Sequence, residues 1–160
     1  MSHWYVLNTK PKKELQAGKL FAEGGFTCYI PVYRQDKRVV PFFPGYGFLR
    51  FNFPDDFQTV RYTRGVKRVV GNKNGPIPVP DEVVERIKAR EVDGLIELEK
   101  HGRTPDVGDE IEVAEGPLKG LRGIFKKEIG DKQRVMILLS YVSYQGQLLI
   151  EKNKLKKVLA

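Results

Sequence analysis

One cysteine, two histidines and no apolar run long enough to span a bilayer define what this 160-residue chain does without. The lone Cys28 excludes an internal disulfide and makes a reducing, cytoplasmic address the expected one. His3 and His101 stand far apart with no second cysteine, so the ligand spacings of a metal site are missing and no cofactor is expected. A membrane span needs about 20 consecutive apolar residues, and the N-terminus lacks a charged-then-apolar secretory pattern, so no membrane association is expected. No Walker loop, nucleophile elbow or Cys/His arrangement occurs. The chain therefore reads as a non-enzyme. Internal repeats and low-complexity tracts are also absent.

What the chain does have is positive charge: 28 Lys and Arg against 20 Asp and Glu, a net charge of +8. Residues 1–93 hold 16 basic and 10 acidic side chains against 12 and 10 in the remainder, so most of the excess lies in the first part. Such a balance suits a polyanionic partner, although a solvated surface carries it equally well.

Helical and strand patterns alternate through the first 90 residues. Trp4–Thr9 reads as a buried strand; Pro11 opens a helix with Ala17, Leu20, Phe21 and Gly24 on one face, closed by Gly24-Gly25. A strand at Thr27–Pro31, a short hairpin at Tyr33–Val40 and a long strand at Tyr46–Phe53 follow. Asp55–Tyr62 reads as a short helix, Val66–Val70 as a strand, and Asp81-Glu82 as the acidic start of a helix striped by Val83, Val84 and Ile87. The pattern predicts a mixed sheet with helices on its faces over 1–93. Residues 94–105 lack clear periodicity and read as a linker, with Leu95, Ile96 and Leu98 able to extend the preceding helix. Beyond it, short alternating segments around Ile111, Val135–Leu139 and Leu148–Ile150 predict a small β-barrel over 106–160. Gly116-Pro117, Gly120 and Gly123 punctuate it where curved strands need tight turns.

Two clusters are candidate sites. Period-two geometry puts Gly47, Leu49, Phe51 and Phe53 on one face of the long strand, and Tyr46, Phe48, Arg50 and Asn52 on the other. The second set is either an exposed binding face or lies under a helix that leaves only Arg50 and Asn52 wet. Lys10, Lys12, Lys13, Arg61, Arg64, Lys67 and Arg68 are positioned to neutralise phosphates, and Tyr5, Phe57 and Tyr62 to stack on bases; a solvated loop rim explains any one of them as well. Asp55-Asp56 and Asp81-Glu82 fit capping and dipole roles at helix starts better than paired catalytic carboxylates.

Taken in order, Trp4-Tyr5-Val6, Phe43-Pro44-Gly45-Tyr46, Thr63-Arg64-Gly65-Val66 and the run from Gly108-Asp-Glu-Ile-Glu-Val113 to Gly123 resemble the NusG family of transcription elongation factors over nearly the whole chain. The last run resembles its KOW motif. The short N-terminus, the brief hairpin and Met136–Leu139 are similar to the specialised RfaH-like paralogues, whereas Phe43–Tyr46 is nearer the housekeeping form. The resemblance implies an α+β chain: an NGN-type α/β sandwich with a mainly antiparallel sheet at 1–93, a linker at 94–105, and a KOW β-barrel at 106–160.

By that resemblance the protein is a monomeric elongation and antitermination factor. Tyr46 and Phe48 match aromatics that grip the clamp helices of the large RNA polymerase subunit, which favours the exposed-face reading of that strand. Lys10 and Arg64 match residues that contact the non-template DNA strand, but Leu20, Glu23 and Gly24 depart from the polar or basic pattern of the RfaH-like helix. Leu118, Leu121 and Val142 match positions that dock a small-subunit ribosomal protein or the termination factor Rho, with barrel core as their other reading. RfaH also folds its C-terminal segment as a helical hairpin over the polymerase-binding face. Leu118, Leu121, Ile124 and Phe125 fit such a helical stripe, while Gly120, Gly123 and Gly146 each weaken it by about 1 kcal/mol, so the barrel is the expected form. A ribosome-associated or RNA-binding KOW protein with no polymerase role is the alternative.

Overall fold

The structure, a computed structural model, describes residues 1–99 and 121–159. Its centre is the strand pair β1 (Ser2–Thr9) and β5 (Tyr46–Asn52), antiparallel from Ser2 opposite Asn52 to Asn8 opposite Tyr46. β2 (Thr27–Tyr29) joins the far side of β5, and β6 (Val66–Val69) the far side of β1. The sheet order is β2-β5-β1-β6, with every neighbouring pair antiparallel. The α+β class with an antiparallel sheet is borne out.

Alternation along β1 and β5 divides the interior in two. Tyr5, Leu7, Leu49 and Phe51 point to one face and pack with Ala17 and Phe21 of α1 (Glu14–Glu23) and Val60 of α2 (Phe57–Arg61). Trp4, Val6 and Phe48 point to the other, among Val83, Val84 and Ile87 of α3 (Asp81–Lys88). Burying a side chain of this size contributes about 1.5–3 kcal/mol. α1 begins three residues later than Pro11 suggests, because Lys12 adopts a left-handed backbone (φ 61°) that no α-helix contains.

A single turn ties the strands' ends together. In Phe43-Pro44-Gly45-Tyr46 the Tyr46 amide donates to the Phe43 carbonyl at 2.9 Å, and Gly45 sits at φ +83°, the positive value a type II turn requires. The Gly45 amide donates to the buried Glu14 carboxylate at 2.8 Å, and its carbonyl accepts from the Thr9 amide at 2.8 Å and Asn8 Nδ2 at 2.9 Å.

Three small hairpins complete the N-terminal unit: β3 (Val32–Gln35) with β4 (Arg38–Pro41), β7 (Gly71–Asn72) with β8 (Gly75–Pro76), and β9 (Glu91–Val92) with β10 (Leu95–Ile96). The first is the expected hairpin. The last stands where a linker was expected to begin, with a helix extension as the alternative: Asp93 and Gly94 both take positive φ, the signature of a two-residue type I′ turn, and they bring Ile96 back into the core.

The C-terminal part departs from expectation. A 3₁₀ turn, Arg122–Phe125, leads into one long helix, α4 (Asp131–Leu159), where strands were expected at 135–139 and 148–150. Residues 121–159 are therefore helical and form no barrel strands; the described part is one helix, where the alternative was a helical hairpin. Val135–Leu139 is apolar at five successive positions, so it satisfies a helical period as readily as a strand, and tertiary burial decides between them. Gly108–Gly120 of the KOW-like run, including Leu118, lie outside the described residues.

Candidate functional site

The inner side of α4 and the 3₁₀ turn lie on the Phe48 face of the sheet. Leu121, Ile124, Phe125, Leu138, Tyr141 and Val142 share one buried cluster with Trp4, Val6, Phe42, Phe43 and Phe48. Aromatic rings run through it without a break: Tyr29 stacks on Phe48 (centroids 6.2 Å), Phe43 meets Phe48 edge-on (6.0 Å), Phe42 meets Phe43 (5.1 Å), and Phe125 stacks on Phe42 (6.0 Å). Phe48 is fully buried, Tyr46 is half-buried against the cluster, and Arg50 and Asn52 are only partly covered. Of the two readings left open for this strand face, the covered one describes the structure.

A buried cation fastens the cover. Arg134, 1% exposed, donates from Nη1 to the Phe42 carbonyl (2.9 Å) and to Asp131 Oδ1 (2.9 Å), from Nε to the Ile124 carbonyl (3.2 Å), and from Nη2 to the Ile129 carbonyl (3.3 Å). Its guanidinium lies 4.2 Å from the centroid of the Phe42 ring and 4.9 Å from that of Tyr33. Tyr33 in turn donates its hydroxyl to Asp131 at 2.9 Å, and burial, the largest influence, pushes its pKa up. An arginine suits this position because its planar fork satisfies several acceptors at once while its faces stack on rings. Glu99 adds a second tie, its amide donating to the Phe125 carbonyl at 2.7 Å and its carboxylate facing Arg122 at 3.4 Å.

Further along α4, Gly146 allows close approach: a Cβ there would stand 2.6 Å from Ile77 Cδ1. The seam also has a weak point. Among the described residues the buried Tyr141 hydroxyl has no hydrogen-bond partner, and desolvation first, then the charge of Glu82, pushes its pKa up to about 12. At the other end of the face, Lys88 Nζ lies over the Trp4 and Tyr29 rings (5.6 and 5.0 Å), and Tyr29 donates its hydroxyl to Glu91. Burial is the main cause raising the Tyr29 pKa.

The expected basic residues gather elsewhere, at the end of the sheet where β1 leaves it. The Lys10 amide donates to the Gly65 carbonyl at 2.8 Å, which sets Lys10 beside the Thr63–Gly65 loop and its Arg64. Lys10, Lys12, Lys13 and Arg64 are all exposed. Tyr62 is exposed too, but Tyr5 is buried with its ring 4.4 Å from that of Phe51, which removes it from the stacking candidates. Leu121 and Val142 are buried in the cluster with Phe48, so the structure brings two of the expected docking positions onto the same face as Tyr46 and Phe48. Arg134 and Asp131 were not anticipated from sequence; their signal is an acid and a base three residues apart at the head of an apolar run. Among the described residues no cluster of three or more metal-ligating side chains occurs, and no helix is long and apolar enough to cross a membrane.

Residues 2–88 match the family described as NusG, transcription termination factor nusG. Among solved structures, one concerned with domain interaction in Thermotoga maritima NusG is 22% identical, with a TM-score of 0.46 over 69% of this chain and 68% of that one. The comparison with curated proteins returns no match.

Proposed function

Since the chain belongs to the NusG family of transcription factors, whose members bind RNA polymerase, we propose that it is an RfaH-like elongation and antitermination factor. Tyr46, Phe48 and the aromatic face around them bind the clamp helices of the large polymerase subunit. Holding the clamp closed suppresses pausing, a shift of populations with no chemical step. Lys10 and Arg64 contact the non-template DNA strand. Leu118, Leu121 and Val142 belong to a C-terminal segment that, once it leaves the N-terminal face, docks a small-subunit ribosomal protein or Rho, and so links transcription to translation or termination.

The observation that supports this reading is the shared cluster. Phe48, assigned to one partner, and Leu121 and Val142, assigned to another, bury one another. The free protein is then a covered form, and polymerase gains its face only when α4 leaves. The sequence of α4 fits a segment with a second packing: Met136 is 65% exposed and Tyr144 60%, so apolar side chains lie on its outer side as well as its inner one. A helix with a single permanent contact normally keeps its outer face polar.

An elongation assay on paused polymerase tests the proposal. Wild-type protein is expected to shorten pauses, and Tyr46→Ala combined with Phe48→Leu, which keeps an apolar side chain in the core, to lose the effect. Unchanged polymerase binding by that double variant would overturn the assigned face, whereas no polymerase binding by the wild type would favour a KOW protein that acts without polymerase.

A further inference from the structure

We propose that Tyr62 is a base-stacking residue for single-stranded DNA, working beside the phosphate-neutralising Lys10 and Arg64. The inference rests on the DNA contact proposed above and adds a residue with a different kind of interaction. Tyr62 is 75% exposed, so its ring is open to a ligand. It is held in place all the same. Its amide caps α2 by donating to the Gln58 carbonyl at 3.2 Å, and the Arg61 guanidinium lies 5.2 Å from its ring centroid and 5.4 Å from that of Phe57. Phe57 is braced in turn by an edge-on contact with Phe53 at 5.3 Å.

The result is an aromatic ring open to water, on an anchored backbone, with a cation 5.2 Å from its centre. Arg64 follows two residues later, and Gly65 (φ +92°) turns the chain so that its carbonyl receives the Lys10 amide. Ring and cations thus share one loop cluster, the combination by which proteins hold single strands: charges follow the backbone while rings stack on unpaired bases. A duplex buries those base faces in its own stack, so Tyr62 distinguishes single from double strand and the cations do not.

The test is binding of the full chain to a labelled short single-stranded DNA and to its duplex, over a range of salt. Tyr62→Ala is expected to weaken single-strand binding about tenfold, with duplex binding and salt dependence unchanged, and Tyr62→Phe to bind as wild type. Lys10→Ala with Arg64→Ala is expected to weaken both ligands and flatten the salt dependence. A 2-aminopurine in the strand should be quenched by wild type and by Tyr62→Phe but not by Tyr62→Ala. If Tyr62→Ala binds the single strand as wild type while the Lys10/Arg64 variant does not, stacking is overturned and the phosphate contact stands. If the wild type binds neither ligand, both fail.

Discussion

Arg134→Ala should release α4 from the N-terminal unit without unfolding that unit. Of the contacts Arg134 makes, those to Ile124, Ile129 and Asp131 stay within the C-terminal segment, whereas the Phe42 carbonyl and the Phe42 and Tyr33 rings lie across the seam. A hydrogen bond from a charged group is worth about 1.5–3 kcal/mol, and a desolvated cation–π contact about 1–2 kcal/mol. Together they put the cross-seam loss at about 3 kcal/mol, which shifts a docked–undocked equilibrium roughly 100-fold. Hydrogen exchange read by mass spectrometry separates the consequences. Amides within 131–150 should lose about two decades of protection while those of β1, held by both β5 and β6, keep theirs. Unchanged protection in α4 would refute Arg134 as the fastening. An equal loss in α4 and β1 would show that the two parts unfold together and that no separable cover exists.

Tyr141→Phe removes a buried hydroxyl that has no partner among the described residues, and should stabilise docking by about 1 kcal/mol, seen in calorimetry as a melting rise of about 2–4 °C. The same group gives a pH dependence. Burial raises its pKa from 10.0 to about 12, so the docked form binds the proton more tightly, and the stability this confers is complete below pH 10 and lost as pH rises through about 12. Protection of α4 measured between those values should fall less steeply in Tyr141→Phe than in wild type; parallel slopes would refute the assignment. Gly146→Leu should push α4 away from Ile77 and raise exchange in α4 despite the better helix propensity of leucine, because even a Cβ there stands 2.6 Å from Ile77 Cδ1. Slower exchange in that variant would mean that the close approach contributes nothing to docking.

The N-terminal unit was legible because its local signals agree. The alternation in β5 put Leu49 and Phe51 on one face, a core face, and Phe48 on the other, and Phe43-Pro44-Gly45-Tyr46 carried its turn type in its residues. The start of α1 was misplaced because Pro11 is a good first helical residue but Lys12 turns left-handed. The type I′ turn at Asp93-Gly94 was readable, yet Leu95 and Ile96 also suited a continuing helix. In the C-terminal part the sequence supports two periods. Propensity favoured strands, with Gly123 and Gly146 counted against a helix. Gly123 instead lies in the 3₁₀ turn, and Gly146 is where α4 needs the smallest residue. The deciding contacts, Arg134 to Phe42 and Val142 to the sheet face, are long-range and leave no local trace. For the same reason the basic loop is legible from its charges, while the coverage of Phe48 stands in the sequence only as one of two open readings.

The unbroken row of rings from Tyr29 to Phe125 also bears on how the protein behaves at high concentration. Without α4 and the 3₁₀ turn, Phe42, Phe43 and Phe48 would form one contiguous oily surface of the kind that monomeric proteins seldom show to water. The C-terminal helix therefore acts as a built-in solubiliser: it keeps that surface from meeting its counterpart on another copy.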